Sequence, residues 1–215
     1  MYLSRLILNP GSRRVQREVA EPYQMHRSVM RAFPASLGKT DERVLFRVDA
    51  APHADALTLL VQSWTPPDWS WLGEPKAQGY LLPVSGPNPA VKSFDLHLVA
   101  GQVLSFRLRA NPTARRKLDD GEHKRLGLYR EEEQVDWLRR KGEASGFRVL
   151  SVATGGSEVI GGAAGSGDDR HDLKLLAVQF DGTLQVTDPE RLRQGVAHGV
   201  GSGKGFGFGL LSLAR

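Results

Sequence analysis

The sequence predicts an α+β protein built from two tandem ferredoxin-like (RRM-like) domains, one at 1–88 and one at 94–215. Three observations predict it. Elements in the order strand, helix, two strands, helix, strand occur twice along the chain. A Pro-, Gly- and Ser-rich stretch, PVSGPNPAVKS at 83–93, separates the two series and reads as a linker. A length of 215 residues is enough for one large core or two small ones. No repeat of residue identity accompanies the duplication, which rests on element order alone.

The first series opens with YLSRLIL at 2–8 as a strand. PYQMHRSVMRAF at 22–33 predicts a helix, with Pro22 suited to its first turn. Residues 43–49 alternate, placing Val44, Phe46 and Val48 on one face, and residues 57–63 do the same with Leu57, Leu59 and Val61. PPDWSWL at 66–72 predicts a short helix. In the second series, LSFRLR at 104–109 turns Leu104, Phe106 and Leu108 inward and Arg107 and Arg109 outward. EEEQVDWLRRK at 131–141 predicts a helix, acidic in its first turn and basic in its last, which complements the helix dipole. FRVLSV at 147–152 is a strand, and a glycine-rich insert follows it. LKLLAVQF at 173–180 and TLQVTD at 183–188 predict two strands around an Asp181-Gly182 turn. PERLRQGVA at 189–197 is a short helix, and GFGLLSLAR closes the chain as a strand.

Composition excludes several classes. The chain has no cysteine, so it has no disulfide framework, thiolate nucleophile or Cys-type zinc site. Its longest apolar runs fall far short of the ~20 residues that span a bilayer. MYLSRLILNP lacks a signal-peptide cleavage pattern. A soluble, cytoplasmic protein without a membrane partner is expected. The histidines show no metal-ligand spacing, and neither a metal nor a cofactor is expected. The net charge of +5 is uneven: +4 in 1–50, −2 in 51–100, +4 in 101–150 and −1 in 151–215. Basic segments of this kind fit a polyanionic partner such as nucleic acid.

Two features carry chemistry. On the 22–33 helix, Met25, Val29, Ala32 and Phe33 share an arc of about 100°, the buried face. Tyr23, His26, Arg27 and Arg31 lie on the other side, with Tyr23 and His26 neighbours at i, i+3. An imidazole moves protons near pH 7, a phenol positions an attacked group, and arginine neutralises charge on phosphoryl oxygens. RNA supplies its own nucleophile, the 2′-hydroxyl. By spacing alone, a surface helix with ordinary polar residues remains the other reading.

The second feature is GVGSGKGFGFG at 199–209, within a window, 195–209, that holds seven of the 24 glycines. A Walker A loop fails because His198 stands at its first glycine and Gly205 at its hydroxyl position. A GxGxxG fingerprint fails in every register. KGFGFGLL at 204–211 matches the first five positions of an RNP1 motif, but too little chain follows for an RNA-recognition domain. A loop between a helix and a closing strand remains. Its backbone N–H groups at Gly203 and Gly205, beside Lys204, can cradle phosphates, and a flexible connector is the alternative.

YLSRLILNPGSRR, EPYQMHR at 21–27, LSFRLRANPT at 104–113, TDPERL at 187–192 and the final GVGSGKGFGFGLLSLAR together resemble the CasE family, the repeat-RNA endoribonucleases of type I-E CRISPR (Cascade) systems. The resemblance runs along nearly the whole chain. It implies two ferredoxin-like domains. It also implies metal-independent cleavage at the 3′ base of the CRISPR repeat hairpin, leaving a 2′,3′-cyclic phosphate and a 5′-hydroxyl. Product retention as a Cascade subunit, with the other subunits as partners, follows from it too. Tyr23 and His26 then fall on the family's catalytic pair, and Arg27 and Arg31 on basic positions near the RNA backbone. The glycine loop, with Gly203, Lys204 and Gly205, lies near the RNA. Arg107, Arg109, Arg115 and Arg116 form the basic 104–117 region expected to bind RNA.

One departure concerns the basic hairpin arm that relatives insert into the RNA stem. The stretch read as its counterpart, EVIGGAAGSGDDRHDLK at 158–174, holds Asp168, Asp169 and Asp172 against Arg170 and Lys174. The alternative function is a subunit that binds the repeat RNA without cutting it.

Overall fold

The structure is a computed structural model that describes all residues except 51–55, 118–120 and 165–170, and the backbone alone at 162–164 and 171–173. The chain divides into two units. The first comprises Met1–Leu96, Gly161–Leu173 and Lys204–Gly207. The second comprises His97–Ile160, Lys174–Gly203 and Phe208–Arg215.

In the first unit, strands β1 (Tyr2–Leu8), β2 (Leu45–Ala50), β3 (Leu57–Ser63) and β4 (Ala90–Ser93) form an antiparallel sheet of order β2-β3-β1-β4. Register follows the hydrophobic pattern, with Leu6 opposite Leu59 and Phe46 opposite Val61. Helices α1 (Arg13–Ala20) and α2 (Pro22–Met30) sit between β1 and β2. Met25, Val29, Ala32 and Phe33 join Leu6, Leu8, Phe46, Leu59 and Val61 in one core.

Several expectations are corrected here. The helix read over 22–33 stops at Met30. Ala32 and Phe33 then bond back to the carbonyls of Val29 and Met30, the tighter 3₁₀ pattern, ahead of Pro34. The short helix read at 66–72 is reduced to 3₁₀ turns at Ser70–Gly73 and Pro75–Ala77, which supply Trp71 and Ala77 to the core. The linker read at 83–93 contains β4, whose partner is β1. Helix α1 was not anticipated.

In the second unit, β5 (Val103–Ala110), α3 (Glu131–Ala144), β8 (Phe147–Ala164), β9 (His171–Val186), α4 (Pro189–His198) and β10 (Leu211–Ala214) repeat the pattern. The sheet order is β10-β5-β9-β8. Counting strands within each set, both sheets read 4-1-3-2, the ferredoxin-like order. Leu104, Phe106 and Leu108 are buried, and Trp137 of α3 stacks on Phe180 with ring centroids 6.1 Å apart. Asp188 caps α4 by accepting from the amides of Glu190 and Arg191 at 3.1 Å.

The turn read at Asp181-Gly182 is absent. Chain 171–186 is one strand, with Gly182 opposite Phe106. A Cβ at Gly182 would overlap the Ser151 carbonyl oxygen, so this glycine permits a close strand approach rather than a reversal. A second hairpin, β6 (Thr113–Lys117) and β7 (His123–Gly127), is inserted between β5 and α3. Among the described residues no helix is long and apolar enough to cross a membrane.

Candidate active site

Helix α2 is held from behind by a buried carboxylate. Glu18 of α1 is 3 % exposed. It accepts from Arg14 Nε at 2.8 Å, from Ser28 Oγ at 2.6 Å and from Tyr80 Oη at 2.6 Å. Arg14 also donates to Ser28 Oγ at 2.9 Å, and its guanidinium lies over the rings of Trp71 and Tyr80. Burial beside Glu18 pushes the Tyr80 phenol far above its ordinary range, so it stays a donor. Ser28 is two residues beyond His26, on the buried side of α2, so this cluster fixes the helix's roll.

On the other side, Tyr23 and His26 stand with ring centroids 6.1 Å apart. His26 stacks on Phe46 at 6.2 Å and 24°. The 3₁₀ turn Lys204–Phe206, part of the same unit, completes the surroundings. Phe206 lies 6.2 Å from Tyr23, and a Cβ at Gly205 would touch the His26 ring at 4.0 Å. Gly207, at φ +81°, faces the Phe46 ring, where a Cβ would come within 3.2 Å. Burial pushes the His26 imidazole below its ordinary pKa by penalising the charged form. Among the described residues its Nδ1 is buried and has no hydrogen-bond partner.

The predicted cations fall out differently. Arg27 is exposed and makes no hydrogen bond or ion pair among the described residues. Arg31 lies 4.5 Å over the Trp71 ring and bonds both oxygens of Glu74 at 2.9 Å. In the second unit, Arg107 pairs with Asp181 at 2.6 Å and Arg109 with Glu158 at 2.5 Å. The Arg109 carbonyl also accepts from the amide of Gly209, and its guanidinium lies over Phe208. Arg115 is exposed, and Arg116 pairs with Glu133 at 2.5 Å. Lys174 is exposed, while Arg170 lies outside the described residues. Gly203 has φ +78°, with Phe208 in the space its side chain would need. Lys204 and Gly205 belong to the turn beside His26.

Sequence reasoning missed the β6–β7 hairpin. Its register sets Arg115 opposite Arg125, Arg116 opposite Lys124 and Lys117 opposite His123. Like charges directly opposite one another destabilise a strand pair. The Asp120-Gly121 turn signal between two basic runs, TARRK and HKR, was the available clue. Among the described residues, β6 and β7 thus set three pairs of basic or histidine side chains opposite one another, and most of the stretch read as the arm, 162–173, lies outside the described side chains. A groove of about 450 Å³ beside Arg116, lined by Glu133, Asp136, Arg139 and Glu143, carries both signs of charge. Among the described residues no group of three or more His, Asp or Glu is placed to hold a metal ion.

A family model described as CRISPR associated protein matches residues 1–215. The CRISPR-associated endoribonuclease Cse3 of Thermus thermophilus is 40 % identical over 222 residues, covering both chains completely. The chain belongs to the CasE family of CRISPR-associated proteins. The Cascade subunit CasE of Escherichia coli K12 is 31 % identical over 226 residues, covering 100 % of this chain and 99 % of that protein. The solved structure of the endoribonuclease Cse3 bound to a 19-nucleotide RNA superposes with a TM-score of 0.83 at 38 % identity, covering both chains fully. The CasE family membership and the two 4-1-3-2 sheets agree with the expectations raised by EPYQMHR and the terminal glycine loop.

Proposed function

We propose that this protein is a metal-independent endoribonuclease that cuts CRISPR precursor RNA at the base of the repeat hairpin and stays with its product as a Cascade subunit in the cytoplasm. The observation that supports it best is the Tyr23–His26 pair on one turn of α2, with His26 desolvated against Phe46 and the glycine turn. The relatives named an endoribonuclease and a Cascade subunit cover the whole chain and supply the substrate class.

In this reading the 2′-hydroxyl of the nucleotide before the cut attacks the phosphorus in line. The new bond closes a 2′,3′-cyclic phosphate, and the P–O5′ bond breaks. The 2′-hydroxyl gives its proton to solvent water, and O5′ gains one from the His26 imidazolium, which is left neutral. The Tyr23 hydroxyl orients the attacking oxygen and hydrogen-bonds the phosphorane. The arriving phosphate, an anion beside a desolvated imidazole, raises the His26 pKa, so the acid becomes charged when substrate is present. Arg27, on the same exposed face, meets the backbone charge. The cationic ladder of the β6–β7 hairpin, with Arg115, Lys117, Lys124 and Arg125, binds stem phosphates, because an A-form stem offers shape and backbone rather than base edges.

The test is repeat RNA incubated with protein in EDTA, with end-group identification of the products. Cyclic phosphate and 5′-hydroxyl ends that vanish with His26→Ala, or with a single 2′-deoxy nucleotide before the cut, are expected. Bound RNA that stays intact would leave only the non-cutting, hairpin-binding reading.

A further inference from the structure

The sequence matched the first part of an RNP1 motif at KGFGF, and that motif is known for its base-stacking aromatics. The structure separates its two phenylalanines. Phe208 is fully buried in the second unit and unavailable. Phe206 is only partly buried, at the tip of the 3₁₀ turn, between two glycines that add no side chains around it. Its ring lies 6.2 Å from Tyr23 at a tilt of 36°, and Tyr23 in turn lies 6.1 Å from His26. Two partly exposed aromatic rings, in contact with each other, therefore stand at the site, with Tyr23 next to the imidazole. Phe46, the other aromatic at the site, is 1 % exposed, a core residue that backs His26 and is closed to a base.

The reaction geometry gives those rings a task. In a stacked A-form strand the 2′-oxygen is not in line with the P–O5′ bond, so the chain must be splayed at the cut. Splaying leaves a base face without a neighbour, and an aromatic side chain replaces the lost stack. The cut lies at the 3′ base of the hairpin, so the next nucleotide is outside the stem and free to be captured.

From this we infer that Phe206 is a base-stacking subsite that holds the unpaired nucleobase immediately 3′ of the scissile phosphate, keeping the backbone splayed while Tyr23 and His26 act on it. Its ligand is a single-stranded nucleobase face, with no demand on base identity, because every base presents a π-face. The inference rests on the endoribonuclease reading for the position of the cut, but stacking itself is a binding property.

The experiment places 2-aminopurine at the first nucleotide 3′ of the cut, in a repeat RNA whose preceding nucleotide is 2′-deoxy so that it remains whole. Binding to the wild-type protein should quench the fluorophore. Phe206→Ala and Phe206→Leu should leave it bright while the hairpin stays bound, and Phe206→Trp should restore the quench. Leu keeps apolar bulk without a π-face, so the Leu/Trp contrast separates stacking from packing. On all-ribose RNA, Phe206→Ala and Phe206→Leu should slow single-turnover cutting about tenfold. Equal quenching in wild type and Phe206→Leu, with RNA bound to both, would overturn the subsite. A wild-type protein that binds but does not cut would overturn the endoribonuclease reading, and the fluorescence comparison would still decide the stacking.

Discussion

Arg125→Glu should move stability and RNA affinity in opposite directions. Arg125 faces Arg115 across the β6–β7 ladder, and both are exposed. The substitution turns a repulsive cross-strand pair into an attractive one. Cross-strand charge pairs contribute roughly 0.2–1 kcal/mol each, and exposure to solvent limits the change to about 0.5 kcal/mol in favour of the folded hairpin. The same change removes one cation from the ladder proposed to bind the RNA stem. If Arg125 neutralises one stem phosphate, the slope of log affinity against log salt should shrink by about 0.9. Hairpin RNA binding across a salt series measures the second effect. Amide hydrogen exchange over 113–117 and 123–127 measures the first. An unchanged salt slope with normal binding, or hairpin amides that exchange faster than in the wild type, would refute this account of the like-charged register.

Glu18→Ala should destabilise the protein by about 3 kcal/mol, read by urea unfolding, because Arg14, Ser28 and Tyr80 all lose their acceptor. Arg14 is 24 % exposed, so water recovers part of the loss, and Glu18→Gln should cost less than Glu18→Ala. Gly207→Ala forces a side chain onto φ +81° and against the Phe46 ring that backs His26. A backbone cost of about 1–2 kcal/mol is expected, with cleavage rate falling further than hairpin affinity in single-turnover assays. His26 should titrate below 6.5 in the RNA-free protein when followed by NMR, because its folded pKa is depressed by burial. The unfolded chain then takes up its proton first as pH falls below about 6.5. The contribution of this group to stability is complete above that value and declines on acidification until the folded pKa is reached. A pH-independent Tm across that window in His26→Gln, against a falling one in the wild type, would support the assignment, and parallel curves would oppose it.

Where one side of an element is apolar and the other polar, the sequence was readable. The strand at 57–63 has those bounds in the structure, and the helix beginning at Pro22 buries the residues its periodicity selects. Helix α1 escaped because its inward residues are Val15 and Glu18, and a glutamate counts as surface until Ser28 and Tyr80, donors from outside the helix, join Arg14 around it. The β6–β7 strands carry no apolar alternation, since the hairpin buries little. Gly182 misled for the opposite reason. Its neighbour Asp181 made a turn signal, while the pressure acting on it came from Ser151 on an adjacent strand. At the candidate site, Tyr23 and His26 were legible as i, i+3 neighbours. Phe46 and Phe206 were not, because Phe46 reaches His26 from 20 residues away along the chain and Phe206 reaches Tyr23 from 183.

The base of the inserted hairpin is closed upon itself. Thr113 faces Gly127 in the ladder, and the amide of Leu128 bonds the carbonyl of Pro112 at 3.0 Å. The hairpin thus leaves and rejoins the rest of the second unit at nearly one point, as a branch leaves a stem. A tight turn joining Pro112 to Leu128 would restore the uninterrupted strand-to-helix connection. The ferredoxin-like scaffold and its cationic appendage are therefore separable modules, and the appendage can lengthen, shorten or change charge without the core having to be rebuilt.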